Sequence, residues 1–420
     1  MNRVKTAQAV GQVLCKPRLD VKKQWITLEQ AIETITQAVQ TKQPIELPLT
    51  QICGEILAED VTAAIDQPPF PRSPLDGYAF RGKDSAGASK EHPVTLKVVD
   101  KIYAGGTSSV TVEPGQAVRL MTGAMIPNGA DCVIRQEDTN YNEDVVELYR
   151  EIKPFQNYGR QGEDYQKGTL LLKAGTKLDF AAVGVLASNG VSAVRVYPKP
   201  KVGIIATGDE LFDPGKPLPS GKIYDSNLFM MRARLHELGL ETKAMQIGDS
   251  YDKVADGIVQ LLESTDAVIT TGGVSVGQKD ILNESLPYLS AETLFHGLKM
   301  KPGSPAIFSI YRGKPVLSLS GNPFAAAATF ELLARPMLAK LANDSALNCK
   351  TTTAKLATPF KKASPNRRFV RGLFQNGAVT LPQGHSSGQL SSMVGCNCLV
   401  DIAAGSGALK EQTLVKVVLL

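Results

Sequence analysis

The sequence predicts a multidomain protein of α/β and β structure: a central three-layer α/β/α domain with a mostly parallel sheet, a small β-rich domain, an extended linker domain and a C-terminal β-barrel. Between residues 171 and 345, strand and helix patterns alternate, which is typical of a parallel sheet covered on both faces. Residues 66–150 and 350–420 instead carry short apolar runs separated by Gly, Pro and Asn, which indicates β-structure. The length of 420 residues accommodates all of these units.

The composition excludes several classes of protein. No run reaches the roughly 18 apolar residues that a membrane-spanning helix needs, and no apolar segment follows the basic N-terminus as in a signal peptide. The net charge of +5, with a single Trp, is too small to indicate nucleic acid as the main partner. The six cysteines are mostly scattered, as in a cytoplasmic protein. For Cys396 and Cys398, strand positions are favoured over metal ligation.

The N-terminal part is predicted to contain an extension and a helix. Residues 1–25 are basic and show no periodicity, so we expect an extension. In ITLEQAIETITQAVQ the apolar residues follow helical spacing, with Thr27 as the N-cap and Gln30 three residues later, as in a capping box. This helix and the extended pieces after it, residues 26–65, form the predicted linker domain together with the returning segment 151–170.

Within the α/β domain, four predicted strands run into polar, Gly-rich loops. Ligands of open α/β sheets bind beyond the carboxyl ends of the strands, so these loops are expected to meet at one site. The residues concerned are Thr207, Gly208, Asp209 and Glu210; Asp249; Gly272, Gly273, Ser275 and Gly277, with Asp280 shortly after; and Ser320, Gly321, Asn322 and Pro323.

The residue types in these loops indicate a site for phosphate and a divalent cation. Glycines let backbone N–H groups surround an anion at a helix N-terminus, and the acids could hold magnesium together with substrate phosphates. Lys299 and Lys301 could add positive charge for an oxyanion. The alternative is structural: the glycines only turn strands into helices, while the acids and lysines are helix caps or solvated loop residues.

Familiar catalytic signatures are absent. The sequence has no P-loop, no G-x-G-x-x-G, no G-x-S-x-G and no H-E-x-x-H. His385, in GHSSG, is better interpreted as a turn residue than as a ligand. In SPLDGYA, the pair Asp76-Gly77 predicts a tight turn, and nothing local connects this turn to the α/β domain.

Taken together, the segments resemble the MoeA family of molybdopterin molybdenumtransferases, to which the eukaryotic gephyrin E domain is related. SPLDGYA, RLMTGAMIP, GRQGEDYQKG, IIATGDEL, IYDSN, TTGGVSVGQKD, MKPGSPA and LSGNP occur in the family's order, and the likeness extends from Ile26 to the C-terminus. The resemblance implies four subdomains and an elongated homodimer with its active site at the subunit interface.

The resemblance also implies a reaction and partners. Members of the family transfer molybdenum from molybdate to adenylylated molybdopterin and release AMP, with magnesium or a similar cation. Molybdopterin adenylyltransferase and downstream molybdoenzyme-maturation proteins would be partners of such a cytoplasmic enzyme, with neither nucleic acid nor membrane involved.

Site residues follow from the family's motifs. The metal ligands would be Asp209, Glu210, Asp249 and Asp280, and these four would act in catalysis with Lys301 and with Asp76 of the other subunit. The remaining residues would bind the pterin substrate: Thr122 and Asp164 from the other subunit, Arg371 and Ser387 from the barrel, Lys299, and the Gly-rich loops named above, including Ser320.

Several positions depart from the family's pattern. Gly297 and Ser304 stand where many members have lysine, Ser320 where LPGNP has proline, and Leu75 where methionine is usual. These changes leave open a paralogue that handles tungstate or a modified pterin. Two other functions are a non-catalytic scaffold, as gephyrin also is at synapses, and a molybdopterin adenylyltransferase, which shares only the α/β domain.

Overall fold

The computed structural model describes residues 25–274, 280–384 and 386–420. These residues form two compact units, one made of residues 44–197 and the other of residues 25–43 with 198–420. Across the described ranges, no helix combines the length and the apolar character that crossing a membrane requires.

The helices and strands are as follows in chain order. Up to residue 197 they are α1 (Leu28–Ala38), β1 (Ile45–Pro48), β2 (Ile56–Leu57), β3 (Val61–Thr62), β4 (Gly77–Phe80), β5 (Val94–Ile102), β6 (Gln116–Leu120), β7 (Cys132–Arg135), β8 (Val145–Leu148), β9 (Leu170–Leu172), α2 (Phe180–Ser188) and β10 (Ala193–Tyr197). From residue 198 they are β11 (Val202–Thr207), β12 (Leu211–Phe212), β13 (Ile223–Tyr224), α3 (Ser226–Glu237), β14 (Thr242–Ile247), α4 (Tyr251–Leu262), β15 (Ala267–Thr271), α5 (Leu282–Tyr288), β16 (Glu292–His296), β17 (Met300–Lys301), β18 (Ile307–Tyr311), β19 (Lys314–Leu319), α6 (Pro323–Thr329), α7 (Arg335–Ala342), β20 (Thr351–Leu356), β21 (Arg367–Gln375), β22 (Ala378–Thr380), β23 (Cys398–Ile402) and β24 (Leu414–Leu419).

Helix α1 confirms the predicted capping box but lies in a different unit than expected. The Thr27 hydroxyl accepts the Gln30 N–H at 3.2 Å, and the Gln30 side chain accepts the Thr27 N–H at 3.0 Å. Its apolar stripe, including Ala31 and Ile35, is buried in the same core as α7 and the central sheet. The helix therefore packs with the α/β domain, because burial of this stripe outweighs its sequence proximity to the linker strands.

Residues 44–197 contain three β-sheets. The sheet of order β7-β4-β6-β5-β8 lies within the predicted β-rich stretch. A second, three-stranded sheet pairs β10 with β1 and β2, while β3 pairs with β9. Residues 171–197, which the pattern assigned to the α/β domain, thus pair with strands that precede the β-rich sheet, and the α/β unit begins at Pro198. The helix α2 and strand β10 resembled the later strand–helix alternation, so periodicity alone could not separate them.

The central sheet has the order β14-β11-β15-β19-β18-β16. Strands β14, β11, β15 and β19 are parallel, β18 runs antiparallel to β19, and β16, which is antiparallel to β18, completes the sheet in the direction of the other four. All residues of β11 and β15 are buried, as expected for parallel strands covered on both faces. The predicted mostly parallel three-layer domain is confirmed.

Helix α3 follows β13 and is capped by Asp225. Asp225 Oδ1 accepts the N–H of Leu228 at 3.0 Å, and Gly239 lies just past the helix with φ of 72°. Only 2% of Asp225 is exposed. Burial raises the pKa of its carboxyl group.

The C-terminal strands close into the predicted barrel. Strands β20, β22, β21, β23 and β24 are paired in a ring, since β24 pairs with both β23 and β20, and β17 adds to β21 from outside the ring. Cys398 lies buried in β23, where burial raises the pKa of its thiol to about 11, and Cys396 lies just before that strand. Both are free thiols.

Between α6 and α7, the chain widens into a π-helical turn, Phe330–Ala334, which carries the buried Glu331. The Glu331 carboxylate accepts from Arg234 Nε at 2.7 Å and from Arg335 Nη1 at 3.0 Å. A carboxylate between two arginines satisfies groups that could not be left buried and unpaired.

We expect Glu331→Ala to lower the free energy of unfolding by roughly 3 kcal/mol or more, because the buried guanidinium group of Arg335 and the half-buried one of Arg234 lose their partner. Glu237, which pairs with the same Arg234 from an exposed position, is the control, and Glu237→Ala should cost less than about 1 kcal/mol. Urea unfolding measures both. Equal losses for the two variants would contradict the role given to Glu331.

The raised pKa of Asp225 predicts a pH-dependent effect. An aspartate with a raised pKa in the folded state binds its proton more tightly there than in the unfolded chain. Its ionisation therefore costs stability as pH rises from about 4 through the raised pKa. Since Asn also caps helices, Asp225→Asn should gain stability relative to the wild type between pH 4 and pH 8, as measured by urea unfolding. A pH-independent difference would argue against this assignment.

Candidate active site

The register of the parallel strands brings four loops to one edge of the sheet. Thr207 at the end of β11 is paired with Ile247 of β14, and Thr271 at the end of β15 is paired with Leu319 of β19. Ala206 in turn pairs with Thr271. The loops that follow these strands therefore start side by side, which confirms the convergence predicted from the sequence.

A cavity of about 1020 Å³ opens at this edge, at the upper end of the size range of small-molecule sites. Its wall combines the strand-end loops with β17 and with part of the barrel. The predicted site residues that line it are Thr207, Gly208, Glu210, Asp249, Gly272, Gly273, Lys301, Ser320, Gly321, Asn322, Pro323 and Ser387.

A smaller cavity of about 350 Å³ is lined by three of the four predicted metal ligands, Asp209, Asp249 and Asp280. Glu210 lines only the larger cavity, and Asp249 lines both. Within the described ranges, no three His, Cys, Asp or Glu side chains are grouped closely enough to hold a metal ion by themselves. Among the described residues, the four acids therefore do not form a ready-made cage.

Asp209 is held in place by its neighbours. Its Oδ1 accepts the N–H of Asp249 at 2.9 Å, and its carbonyl accepts from Lys222 Nζ at 2.5 Å. A Cβ atom at Gly248 would lie 2.7 Å from the same Oδ1. The absence of a side chain at residue 248 thus allows the two acidic loops to approach each other.

The loops after β15 and β19 are tied to their neighbours through backbone groups. The Gly272 N–H donates to the Leu319 carbonyl at 3.1 Å, and Asn227 Nδ2 donates to the Gly321 carbonyl at 2.8 Å. Gly272 has φ of 92°, and a Cβ there would lie 2.4 Å from the Thr207 carbonyl oxygen. Only glycine fits at residue 272, between the ends of β15 and β11.

Arg371 does not line either cavity but anchors a loop that lines the larger one. Its guanidinium group is buried 4.1 Å from the centre of the Phe324 ring, and Nη2 donates to the Ser386 carbonyl at 2.9 Å. The Phe324 N–H donates to the Ser387 carbonyl at 3.1 Å. Nε and Nη1 of Arg371 have no hydrogen-bond partner among the described residues, and burial lowers the pKa of this side chain.

Of the two predicted lysines, only Lys301 lines the cavity. Lys299 is exposed, and its N–H donates to the Ile26 carbonyl at 2.9 Å. The departure at Gly297 has a local cause, because a Cβ there would lie 3.2 Å from Trp25 Cδ2, and φ is 108°. At the second departure, the Ser304 hydroxyl donates to the Met300 carbonyl, and Ser304 lines the larger cavity.

Three predicted site residues lie in the unit of residues 44–197. Asp76 Oδ1 accepts from both the N–H and the hydroxyl of Thr122, at 2.7 and 2.8 Å. The Thr122 backbone bond and then its hydroxyl lower the pKa of Asp76, so this carboxylate is ionised at neutral pH. Asp164 is exposed, and its N–H donates to the Gln67 carbonyl at 2.9 Å.

Some predicted residues lie outside the described ranges, and some lining residues were not predicted. Ser275, Gly277 and His385 belong to the first group. The second contains Asp225 and Asn227, whose signal was the IYDSN motif, and Lys362 and Arg368, which no sequence signal marked.

The sequence matches three family regions in succession. Residues 26–190 match the MoeA N-terminal region (domain I and II), residues 203–340 match a probable molybdopterin binding domain, and residues 353–420 match the MoeA C-terminal region (domain IV). The matched ranges account for most of the chain.

Relatives and solved structures agree with these matches. The molybdopterin molybdenumtransferase of Staphylococcus aureus (strain MRSA252) is 38% identical over 94% of this chain and 95% of its own length, and that of Staphylococcus epidermidis (strain ATCC 12228) is 36% identical with the same coverage. A crystal structure of the molybdopterin biosynthesis MoeA protein from Pyrococcus horikoshii is 31% identical, with a TM-score of 0.81 over 94% of this chain and 99% of that one. The chain therefore belongs to the MoeA family of molybdopterin molybdenumtransferases.

Proposed function

We propose that this protein is a molybdenum insertase of molybdenum-cofactor biosynthesis. It transfers molybdenum from molybdate to adenylylated molybdopterin, and AMP is released when the bond between the adenylate and the pterin phosphate breaks. The observation that carries this proposal is the cavity of about 1020 Å³. Carboxylates of the strand-end loops and cations of β17 and the barrel both line it.

The residues of this chain have distinct tasks in that reaction. Gly272 and Gly273, with the loop of Ser320 and Gly321, allow backbone groups to approach the phosphate groups of the substrate. Lys301 supplies positive charge for molybdate or phosphate. Binding both reactants in one cavity lowers the barrier by holding the reacting groups at contact distance.

The acidic residues fit a magnesium ion that is shared with the substrate. Asp209, Asp249 and Asp280 supply hard oxygen donors around one small cavity, and magnesium usually binds through one or two carboxylates plus substrate phosphates. When bound, the ion neutralises phosphate charge during the transfer. The exposed carboxylate of Asp209, fixed by the Asp249 N–H, is the residue best placed to hold it.

The proposed enzyme is a homodimer with composite sites. Asp76 carries an ionised carboxylate fixed by Thr122, and both cavities are lined by residues after Pro198. We infer that Asp76, Thr122 and Asp164 of a second copy complete each site. The described cysteines are all thiols, in keeping with a cytoplasmic enzyme. The proposed enzyme receives its substrate from molybdopterin adenylyltransferase and passes its product to molybdoenzyme-maturation proteins.

Two other functions account for less of the chain. An adenylyltransferase would use the α/β domain and leave the matched N-terminal and C-terminal regions without a role. A non-catalytic scaffold would not need Asp76, Asp209 and Asp280, which are all present. Tungstate remains an alternative oxyanion to molybdate, and the assay below compares the two.

We expect Asp209→Ala and Asp280→Ala each to slow AMP release at least about tenfold in single-turnover reactions with adenylylated molybdopterin, molybdate and magnesium. The reason is the loss of a carboxylate that positions the cation. Asp213→Ala is the control, since Asp213 is exposed, pairs with Lys216 and lines neither cavity. Wild-type rates in both cavity variants would refute the proposed roles, and replacing molybdate by tungstate identifies the preferred oxyanion.

Composite sites predict complementation between inactive variants. When Asp76→Ala and Asp209→Ala chains are co-expressed with different tags, half of the dimers are mixed and each mixed dimer keeps one intact site. Activity should therefore return to about a quarter of the wild-type level. Mixing Asp209→Ala with Asp280→Ala is the control and should restore nothing, because both changes fall in the same part of the chain. Equal activity in the two mixtures would refute a site shared between subunits.

A further inference from the structure

Two buried hydrogen-bond acceptors belong to residues in the wall of the larger cavity. They are Oδ2 of Asp225 and Oδ1 of Asn227, and neither atom has a hydrogen-bond partner among the described residues. Only 2% of Asp225 and 9% of Asn227 are exposed, and both residues line the cavity of about 1020 Å³. A buried acceptor without a donor destabilises a fold, and native proteins contain few of them. We therefore expect a ligand to supply the donors.

The other polar atom of each side chain is already engaged. Asp225 Oδ1 accepts the N–H of Leu228 at 3.0 Å, and Asn227 Nδ2 donates to the Gly321 carbonyl at 2.8 Å. Because these bonds fix which atom points where, the remaining position on each side chain is an acceptor. A ligand that satisfies both positions must donate two hydrogen bonds.

The surroundings of Asp225 favour a flat, uncharged donor over a cation. No ion pair of the described residues includes Asp225, whereas the buried Glu331 is neutralised by two arginines. The apolar side chains of Leu211 and Ile223 line the same cavity. A heteroaromatic ring with N–H groups along one edge would place its faces against apolar groups and its edge against the acceptors.

We propose that Asp225 is a specificity-determining residue whose Oδ2 accepts from the 2-amino group of a pterin, while Asn227 Oδ1 accepts from the adjacent ring N3–H. The 2-amino-4-oxo ring of a pterin carries these two donors side by side. The choice of a pterin rests on the proposed function, whereas the need for a ligand amino group rests on the two unpartnered acceptors. Such a donor would also stabilise the ionised form of the carboxyl group, whose pKa burial raises.

Pterin and lumazine test this inference, because lumazine has a carbonyl oxygen in place of the 2-amino group. The Kd values of 6-hydroxymethylpterin and 6-hydroxymethyllumazine for the full-length protein are measured at neutral pH from the fluorescence of the bound probe. The wild type should bind the pterin at least about tenfold more tightly, since a carboxylate oxygen that faces a carbonyl oxygen stays unpaired.

Asp225→Asn is the decisive variant. Its Oδ1 can still accept the Leu228 N–H as an N-cap, which leaves an amide NH₂ group where Oδ2 was. This donor faces the amino group of the pterin but pairs with the carbonyl of lumazine, so the preference should reverse. Asp213→Asn removes the same charge from an exposed residue that lines neither cavity, and it should leave the ratio of the two Kd values within about twofold. Thermal unfolding establishes that both variants are folded.

The adenine ring of the adenylate also carries an amino group, and AMP and IMP form the matching pair of probes. A reversal of the preference between pterin and lumazine supports the inference. A reversal confined to AMP and IMP, equal losses for both pterin probes, unchanged Kd values in Asp225→Asn, or no binding of either pterin probe to the wild type would overturn it.

The release of AMP from adenylylated molybdopterin is measured separately. A wild-type protein that prefers pterin to lumazine but releases no AMP would contradict the proposed function and leave this inference intact.

Discussion

The parallel register of β14, β11, β15 and β19 is the constraint on which the candidate site depends. Parallel pairing requires that all four strands point the same way, so their carboxyl ends form one edge. Had one of these strands run antiparallel, its loop would lie at the opposite edge. The one strand that reverses, β18, leads into no predicted site residue at its carboxyl end, whereas β16 runs in the same direction as β19 and leads into the segment of Lys299 and Lys301. The positions of Asp209, Asp249 and Gly272 thus follow from strand direction first and from side-chain chemistry second.

A second constraint ties the barrel to this edge. Buried Arg371 lies over the Phe324 ring and holds the Ser386 carbonyl, while β17 pairs with β21 of the barrel. The desolvation of Arg371 is costly, and its aromatic and carbonyl contacts offset part of that cost. These contacts make the barrel part of the cavity wall. They explain how cations of the barrel and carboxylates of the sheet come to face one space.

The departures from the family's usual residues are coupled to particular features of this chain. Trp25 lies against Gly297 and fills the space that a side chain at residue 297 would enter. The Ser304 hydroxyl is engaged with the backbone of Met300. Lysines at these two positions would add positive charge. In this chain, Lys362 and Arg368 of the barrel segment carry positive charge at the cavity wall.

The sequence by itself determined the types of the domains, the capping box of Thr27 and the meeting of four loops, because these depend on local periodicity and on a general property of parallel sheets. It also carried the motifs through which the family is recognised. Tertiary structure decided what depends on contacts between distant segments. In the folded chain α1 packs in the α/β core, and strand β10 pairs with strands that precede the β-rich sheet. The four acids lie around two cavities. Tertiary structure also set Arg368 beside Lys301, since strand register and burial are properties of the assembled chain that no local pattern encodes.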